Sequence, residues 1–417
     1  MAKIRIEGGH KLSGTVMISG AKNSAVALIP AAILCDENVT INNVPNITDV
    51  DDLENILIHL NAKIKRTFGK VEINSSNIKN EEITETLSKK LRASYYFMGA
   101  LLGKFNRVEM YFPGGCNIGS RPINLHLKGF ESLGATVIEE DNHFTIEAKK
   151  LKGSNIYLDF PSVGATINIM LAATKAQGKT VIDNAAQEPE IVNVATFLNN
   201  MGAKIKGAGT STIIINGVKH LHSCFHEVIP DRIQAGTYLI IAALLGKNLK
   251  IDNIIPSHIE ALIAKLTEAG VNMEIGLNNI VVKETKEYNG TNIKTLVYPG
   301  FATDLQQVMA TFLTQCNGKS TIEETIYENR FQNLKELAKM GAKYKIKEDN
   351  RKAIIMGKVQ LKGTEVAATD LRGGASLLVA ALVADGITTI NNISYILRGY
   401  DNVIEKLSNV GAKIEVI

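Results

Sequence analysis

The chain has 417 residues, and its 46 basic and 42 acidic side chains leave a formal net charge of +4. That length is more than one hydrophobic core serves, so two or three domains are expected. The near-balanced charge, with no run of one sign, argues against a non-specific nucleic-acid or membrane surface. Cysteines 35, 116, 224 and 316 lie far apart with no CxxC or Cys/His grouping, so neither a disulfide framework nor a zinc site is expected.

The opening MAKIRIEGG lacks a charged region followed by an apolar core, and no apolar run reaches about 18 residues. Neither export nor membrane spanning is expected, and the location implied is cytoplasmic. A short strand over Lys3 to Glu7 precedes a helix rich in small and apolar residues, Ser24 to Leu34. Similar helices recur at Ala93 to Leu102, Ala165 to Thr174, Ala235 to Leu245, Asp304 to Leu313 and Gly373 to Val383. Helices apolar nearly all round belong inside a domain.

Each of these is followed by a second helical stretch that ends in a Gly-Ala-Lys-like turn and then a short strand. The turn positions are 61, 134, 202, 270, 341 and 411, separated by 73, 68, 68, 71 and 70 residues. Gly, or Asn61 in the first copy, takes the left-handed conformation that closes a helix. A unit of this size cannot cover its own apolar face, so the copies must pack on one another. The expected architecture is mixed α/β with six units, three per domain, inner helices grouped centrally and sheets outside. A boundary is expected near VIPDRIQAGT, giving residues 21–229 as one domain and residues 1–20 with 230–417 as a discontinuous second one, with a ligand cleft between.

Polar residues concentrate where the inner helices begin. Lys22 and Asn23 open the first, where free N–H groups favour an anion, although a capping Ser24 beside a solvated lysine would give the same pattern. Arg92 opens the second inner helix, Ser162 and Gly164 the third, and Asp231 and Arg232 the fourth. Asp304 reads as the N-cap of the fifth, Asp370 and Arg372 open the sixth, and Glu328, Arg330 and Arg398 follow in ENRF and YILRGYD. Between copies lies YFPGGCNIGSRPINLHLKGF. Here Gly114 and Gly115 present Cys116, Arg121 and Pro122 follow within the loop of residues 112–122, and His126 precedes a helical pattern from Leu127. A thiol on a polar, Arg-flanked loop is drawn towards thiolate, whereas Cys35 and Cys316 end apolar patterns and read as packing residues. Clustered Lys22, Arg121 and Arg398 would repel without a shared anion, so they read as a site for phosphate plus carboxylate.

The runs GAKNSA, LRAS, PGGCNIGSRP, SVGAT, EPEI, PDRI, ENRF, ATDLR and RGY, in this order over almost the whole chain, closely resemble the enolpyruvyl transferases, and among them those acting on UDP-N-acetylglucosamine. The resemblance implies a two-domain inside-out α/β barrel and transfer of the enolpyruvyl group of phosphoenolpyruvate to the 3-hydroxyl of UDP-N-acetylglucosamine, the first committed step of peptidoglycan precursor synthesis. It implies no metal or organic cofactor; neither nucleic acid nor membrane is an expected partner, and the oligomeric state stays open with a monomer favoured. By the same resemblance Cys116 protonates or adds to phosphoenolpyruvate and is the residue fosfomycin alkylates. Lys22, Arg121 and Arg398 hold its anionic groups, with Asn23 beside them. Arg92, Arg121, Pro122, Ile123, Asn124, Leu125, Ser162, Val163, Gly164, Asp304, Ile326 and Arg330 face substrate, and Asp304 takes the proton of the attacking hydroxyl, assisted by Asp370 and Arg372. Asn124 stands where many relatives carry Asp, and Phe160-Pro161 replaces a Lys-containing pair. The alternatives are a shikimate-pathway synthase, which would tolerate loss of Cys116, and a silent paralogue that binds the sugar nucleotide.

Overall fold

The computed structural model describes residues 2–114, 122–347 and 350–417. Six inner helices are present, at Lys22–Ala31, Tyr96–Phe105, Val163–Ala173, Arg232–Leu245, Thr303–Thr314 and Leu371–Val383. Their residues are buried on nearly every side, as their small, apolar composition requires. Outer helices such as Thr48–His59, Pro189–Asn200 and Asn333–Lys339 bury one face only. All six predicted stops have left-handed backbone: φ is 67° at Asn61 and 90–103° at Gly134, Gly202, Gly270, Gly341 and Gly411. One expectation fails by a turn. The helix expected from Leu127 begins at Asn124, so His126 lies inside it.

The strands form six sheets among the described residues, five of four strands and one of three, without closing into a barrel. Every four-stranded sheet repeats one plan. In the fifth unit Gly318–Glu323 leaves the inner helix, pairs antiparallel with Lys352–Gly357, and that strand pairs antiparallel with Lys343–Lys347. The free edge takes a short parallel strand, Ile293–Lys294. The three-stranded sheet has a single parallel bridge, Ile83 to Met110, at that edge. In the last unit the hairpin strand is missing from the local sequence, and Ile4–Glu7 takes its place, antiparallel to both Ile387–Asn391 and Lys413–Val416.

The described residues up to Ser19 and from Pro230 onward form one compact unit, and those between Gly20 and Ile229 form the other. Each has its own core. In the first, the helices 232–245, 303–314 and 371–383 pack pairwise; in the second, 96–105 packs on both 22–31 and 163–173. Within the first unit Asp231 N–H donates to the Ser19 carbonyl at 2.9 Å, and within the second Ala21 N–H donates to that of Ile229 at 2.7 Å.

Candidate active site

The unit from Gly20 to Ile229 carries polar residues at the mouths of its inner helices. Lys22 is the first residue of its helix, and its ammonium lies 2.7 Å from the carboxylate of Asp49, which is almost wholly buried in the first turn of Thr48–His59. The capping alternative fails, because the cap position is Ala21, whose side chain cannot cap, and Ser24 is buried within the helix. Asn23 is half-buried beside Lys22, and Arg92 opens a short 3-10 turn, Arg92–Tyr95, ahead of the second helix. Ser162 caps the third, its hydroxyl accepting from Ala165 N–H at 3.3 Å, and places Val163 and Gly164 in the first turn. Pro122 and Asn124 are exposed, Leu125 is half-buried and Ile123 is buried at the start of the helix that carries His126.

His126 touches this group from below. Its ring is buried, and burial together with the positive Arg92 pulls its pKa down to about 3, so the imidazole is neutral. Ring Nδ1 lies 2.9 Å from the Asn168 amide.

The other unit carries the second cluster, centred on Asp304. Sequence pattern made this residue a helix cap, and that is wrong: Ala302 occupies the cap position, and the Asp304 carboxylate turns instead to two arginines. Arg330, 2% exposed, donates to one oxygen at 2.5 Å, and Arg372, 4% exposed, to the other at 3.2 Å. Burial opposes ionisation of Asp304, but Arg372, Arg330 and Arg232 outweigh it and hold the carboxyl well below the ordinary aspartate range. Its side chain keeps 28% of its surface accessible, so the charge is steered and still reachable. Asp370 does cap its helix, accepting from the N–H groups of Arg372 and Gly373 at 3.0 and 3.1 Å. Its second oxygen accepts from Gln307 at 3.2 Å. Arg372 is fixed from behind by the Tyr400 hydroxyl at 3.3 Å.

Ile326 follows a buried anchor that pattern reading missed. The Glu324 carboxylate accepts from Thr295, Thr303 and the N–H of Ile326, each at 2.9 Å, and so ties the 326–330 loop to the turn that begins the Asp304 helix. Arg398 ends the short helix Ser394–Leu397 and is half-buried. Thus Asp304, Arg330, Arg372 and Asp370 converge through hydrogen bonds, while Lys22 pairs with Asp49. Cys116 and Arg121 lie outside the described residues. Asp49, Glu324 and Asn168 entered no motif, because a buried partner leaves no spacing signature, and His126 stood in the cysteine-bearing stretch only as a residue ahead of a helix.

The other cysteines are poor nucleophiles: burial pushes the Cys316 thiol up to about 12 and the Cys224 thiol up to about 11. Among the described residues one group has metal-ligand spacing, Glu82, Glu109 and His143, and none of these is a candidate site residue. Glu109 is already paired with Arg107 at 2.8 Å.

One unit thus opens its inner helices with Lys22 paired to Asp49, and the other with Asp304 clamped by Arg330 and Arg372, on a frame of six repeated units. The family model described as EPSP synthase (3-phosphoshikimate 1-carboxyvinyltransferase) matches residues 6–407, and the chain belongs to that family. Within it, UDP-N-acetylglucosamine 1-carboxyvinyltransferase 2 of Listeria monocytogenes serotype 4b (strain F2365) is 53% identical over 412 residues, spanning 99% of this chain and 97% of the relative. The protein of the same description from Geobacillus kaustophilus (strain HTA426) is 51% identical over 414 residues, with 99% and 96% covered. Among solved structures, the enolpyruvyl transferase NikO from Streptomyces tendae matches with a TM-score of 0.90 at 26% identity, covering 100% of this chain and 98% of that one. An EPSP synthase from Acinetobacter baumannii shares the fold, with a TM-score of 0.77 at 18% identity and full coverage of both chains.

Proposed function

We propose that the chain transfers the enolpyruvyl group of phosphoenolpyruvate to the 3-hydroxyl of UDP-N-acetylglucosamine, releasing phosphate, in the cytoplasm. The observation that carries this reading is Asp304, a reachable carboxylate kept ionised by Arg330 and Arg372. In the addition step Cys116 gives a proton to the methylene carbon while the sugar oxygen bonds to the neighbouring carbon and its proton passes to Asp304. In the elimination step the methyl carbon returns a proton to the Cys116 thiolate, the C–O bond to phosphate breaks with its electron pair leaving on phosphate, and the double bond returns.

A carboxylate this acidic is a weak base towards a free hydroxyl, but it becomes an adequate acceptor as the new C–O bond forms and the hydroxyl proton acidifies. Its first task is therefore to orient the hydroxyl. Lys22, Arg121 and Arg398 bind the phosphate and carboxylate of phosphoenolpyruvate, with Asn23 at the same helix mouth. Asp49 holds the Lys22 ammonium at that helix mouth. Arg92, Pro122, Ile123, Asn124, Leu125, Ser162, Val163, Gly164 and Ile326 receive the nucleotide sugar, and Asp370 holds Arg372 through its helix start. The test is phosphate release from phosphoenolpyruvate with each acceptor in turn. Release with UDP-N-acetylglucosamine and none with shikimate 3-phosphate supports the proposal; the reverse assigns the chain to shikimate chemistry, and release with neither overturns both.

A further inference from the structure

The three-stranded sheet differs from the other five at one edge. Where they gain a short parallel strand, it has only the bridge from Ile83 to Met110, with Ile83 N–H donating to the Glu109 carbonyl at 3.0 Å. Ile83 and Met110 both belong to the core and have no exposed surface. Alternation therefore sends Glu82 and Glu109, one residue earlier on each segment, to the opposite face side by side. Two carboxylates facing one another across paired strands repel, and a single bridge is all that holds this edge against them. At the matching edge of the fifth unit the outward pair is Lys294 with Glu323, 2.7 Å apart.

A third group completes the set. Strand Arg107–Tyr111 pairs antiparallel with His143–Glu147, Tyr111 opposite His143 and Glu109 opposite Thr145. Phe144 and Ile146 fill the core, so His143 shares the outward face with Glu109, one diagonal step away. Its ring stands edge-on to that of Tyr111, centroids 4.9 Å apart, which fixes its direction. Among the described residues Nε2 is buried without a hydrogen-bond partner, and it lies 3.6 Å from Glu109 Oε1, too far for a hydrogen bond. Arg107 takes the other oxygen of Glu109 at 2.8 Å and leaves Oε1 to this side. One ligand atom from each of Glu82, Glu109 and His143 lies within 4.8 Å of the other two. Two ligands held about 2.0–2.1 Å from a tetrahedral ion stand roughly 3.4 Å apart, so the histidine and Glu109 already have the needed spacing and only the carboxylates must swing in. An imidazole nitrogen with two carboxylates suits zinc better than calcium or magnesium, which take oxygen ligands throughout.

We propose that Glu82, Glu109 and His143 hold a zinc ion, through one oxygen of each glutamate and Nε2 of the imidazole, with water as the fourth ligand. The ion stands in for the absent edge strand. It cancels the repulsion between the carboxylates, gives the buried nitrogen a partner and ties the segment at Ile83 to both neighbouring strands. That segment leads into the helix Glu85–Lys90, where the Ser88 carbonyl accepts from Gly114 N–H at 3.2 Å, so the staple also steadies the chain just ahead of Cys116. Positions 82, 109 and 143 form no sequence motif, because only the sheet register brings them together.

The test uses the full chain, stripped of metal with a chelator and then titrated with zinc by calorimetry. Zinc is expected to bind the parent and, at a hundredfold excess over its Kd, to raise the melting temperature by about 5–10 °C. His143→Phe keeps a ring against Tyr111 and removes the nitrogen; Glu82→Gln keeps the shape and removes a charge. Each should weaken zinc binding by more than about tenfold, the least that removing a group which merely supports a ligand costs, and should abolish the melting shift. Equal affinity in the parent and both variants overturns the proposal, because the zinc then sits elsewhere, on cysteines for example. So does a parent that binds no zinc. Magnesium at the same concentration should leave the parent's melting unchanged, and an equal rise with magnesium also overturns the proposal, reducing the three side chains to an acidic patch. Should His143→Phe fail to fold, Glu82→Gln decides alone.

Discussion

Arg372 decides how acidic Asp304 is. It supplies the largest of the attractions that overcome the cost of burying that carboxylate, ahead of Arg330 and Arg232. Because the folded-state pKa is depressed, the stability these pairs contribute is fully present above the ordinary aspartate value of 3.8 and is lost as pH falls through the lowered value. Replacing Arg372 by Met keeps much of the packing against Tyr400 and removes the charge. The acid limb of the pH–rate profile is then expected to move to higher pH, each unit of movement corresponding to about 1.4 kcal/mol of lost attraction. Turnover should also fall by roughly a hundredfold, in the range seen when one charge-stabilising donor is removed. A limb that stays in place would show that Arg330 and Arg232 suffice to set the acidity.

At the scale of elements, the approach of the second and third inner helices depends on a missing side chain. Gly99→Ala would drive a methyl into the Asn168 carbonyl at 2.3 Å, where backbone cannot yield cheaply. A loss of about 1–3 kcal/mol is expected, read as a lower denaturant midpoint with unchanged slope. The six helix stops could be seen in the sequence because a left-handed residue is needed at each, and only Gly or Asn meets that need without strain. The inner helices could be seen because burial on all sides demands an unbroken apolar composition. Strand order could not be seen: the parallel edge strand Ile293–Lys294 has two residues, too few for any periodicity. Asp304 failed for another reason. An aspartate near a helix start has the same spacing whether its carboxylate turns back to cap the helix or out to Arg330 and Arg372, and only the fold brings those arginines near. The same holds for Lys22, whose partner Asp49 is 27 positions away with no motif between them.

For the whole molecule, the repeat implies that the last unit borrows from the first residues of the chain. Ile4–Glu7 is the middle of its sheet, with Ile4 opposite Ile390 on one side and Val416 on the other, and Ile4 and Ile6 have no exposed surface. The ends of the chain are also hydrogen-bonded to each other, Lys3 N–H to the Ile417 carbonyl at 2.8 Å and Ile417 N–H to that of Lys3 at 2.9 Å. The ion pairs Lys3–Glu365 and Arg5–Glu415 are exposed and add little. The ladder and the two isoleucines therefore carry the attachment, at about 2–5 kcal/mol for each large buried side chain lost, comparable with the total stability of a domain. Removing residues 2–8 is expected to unfold the unit that continues from Pro230, with amides of residues 20–229 keeping their protection from hydrogen exchange. The complementary construction joins Ile417 to Lys3 through a short Gly-Ser linker, producing a continuous chain from Pro230 through the linker to Ser19. That chain should fold alone with one cooperative transition, while 230–417 without the linked strand should not. If 230–417 melts as cooperatively as the linked chain, the first strand is an ornament on the sixth unit, and the discontinuity of the chain has some other cause than the need to fill that sheet.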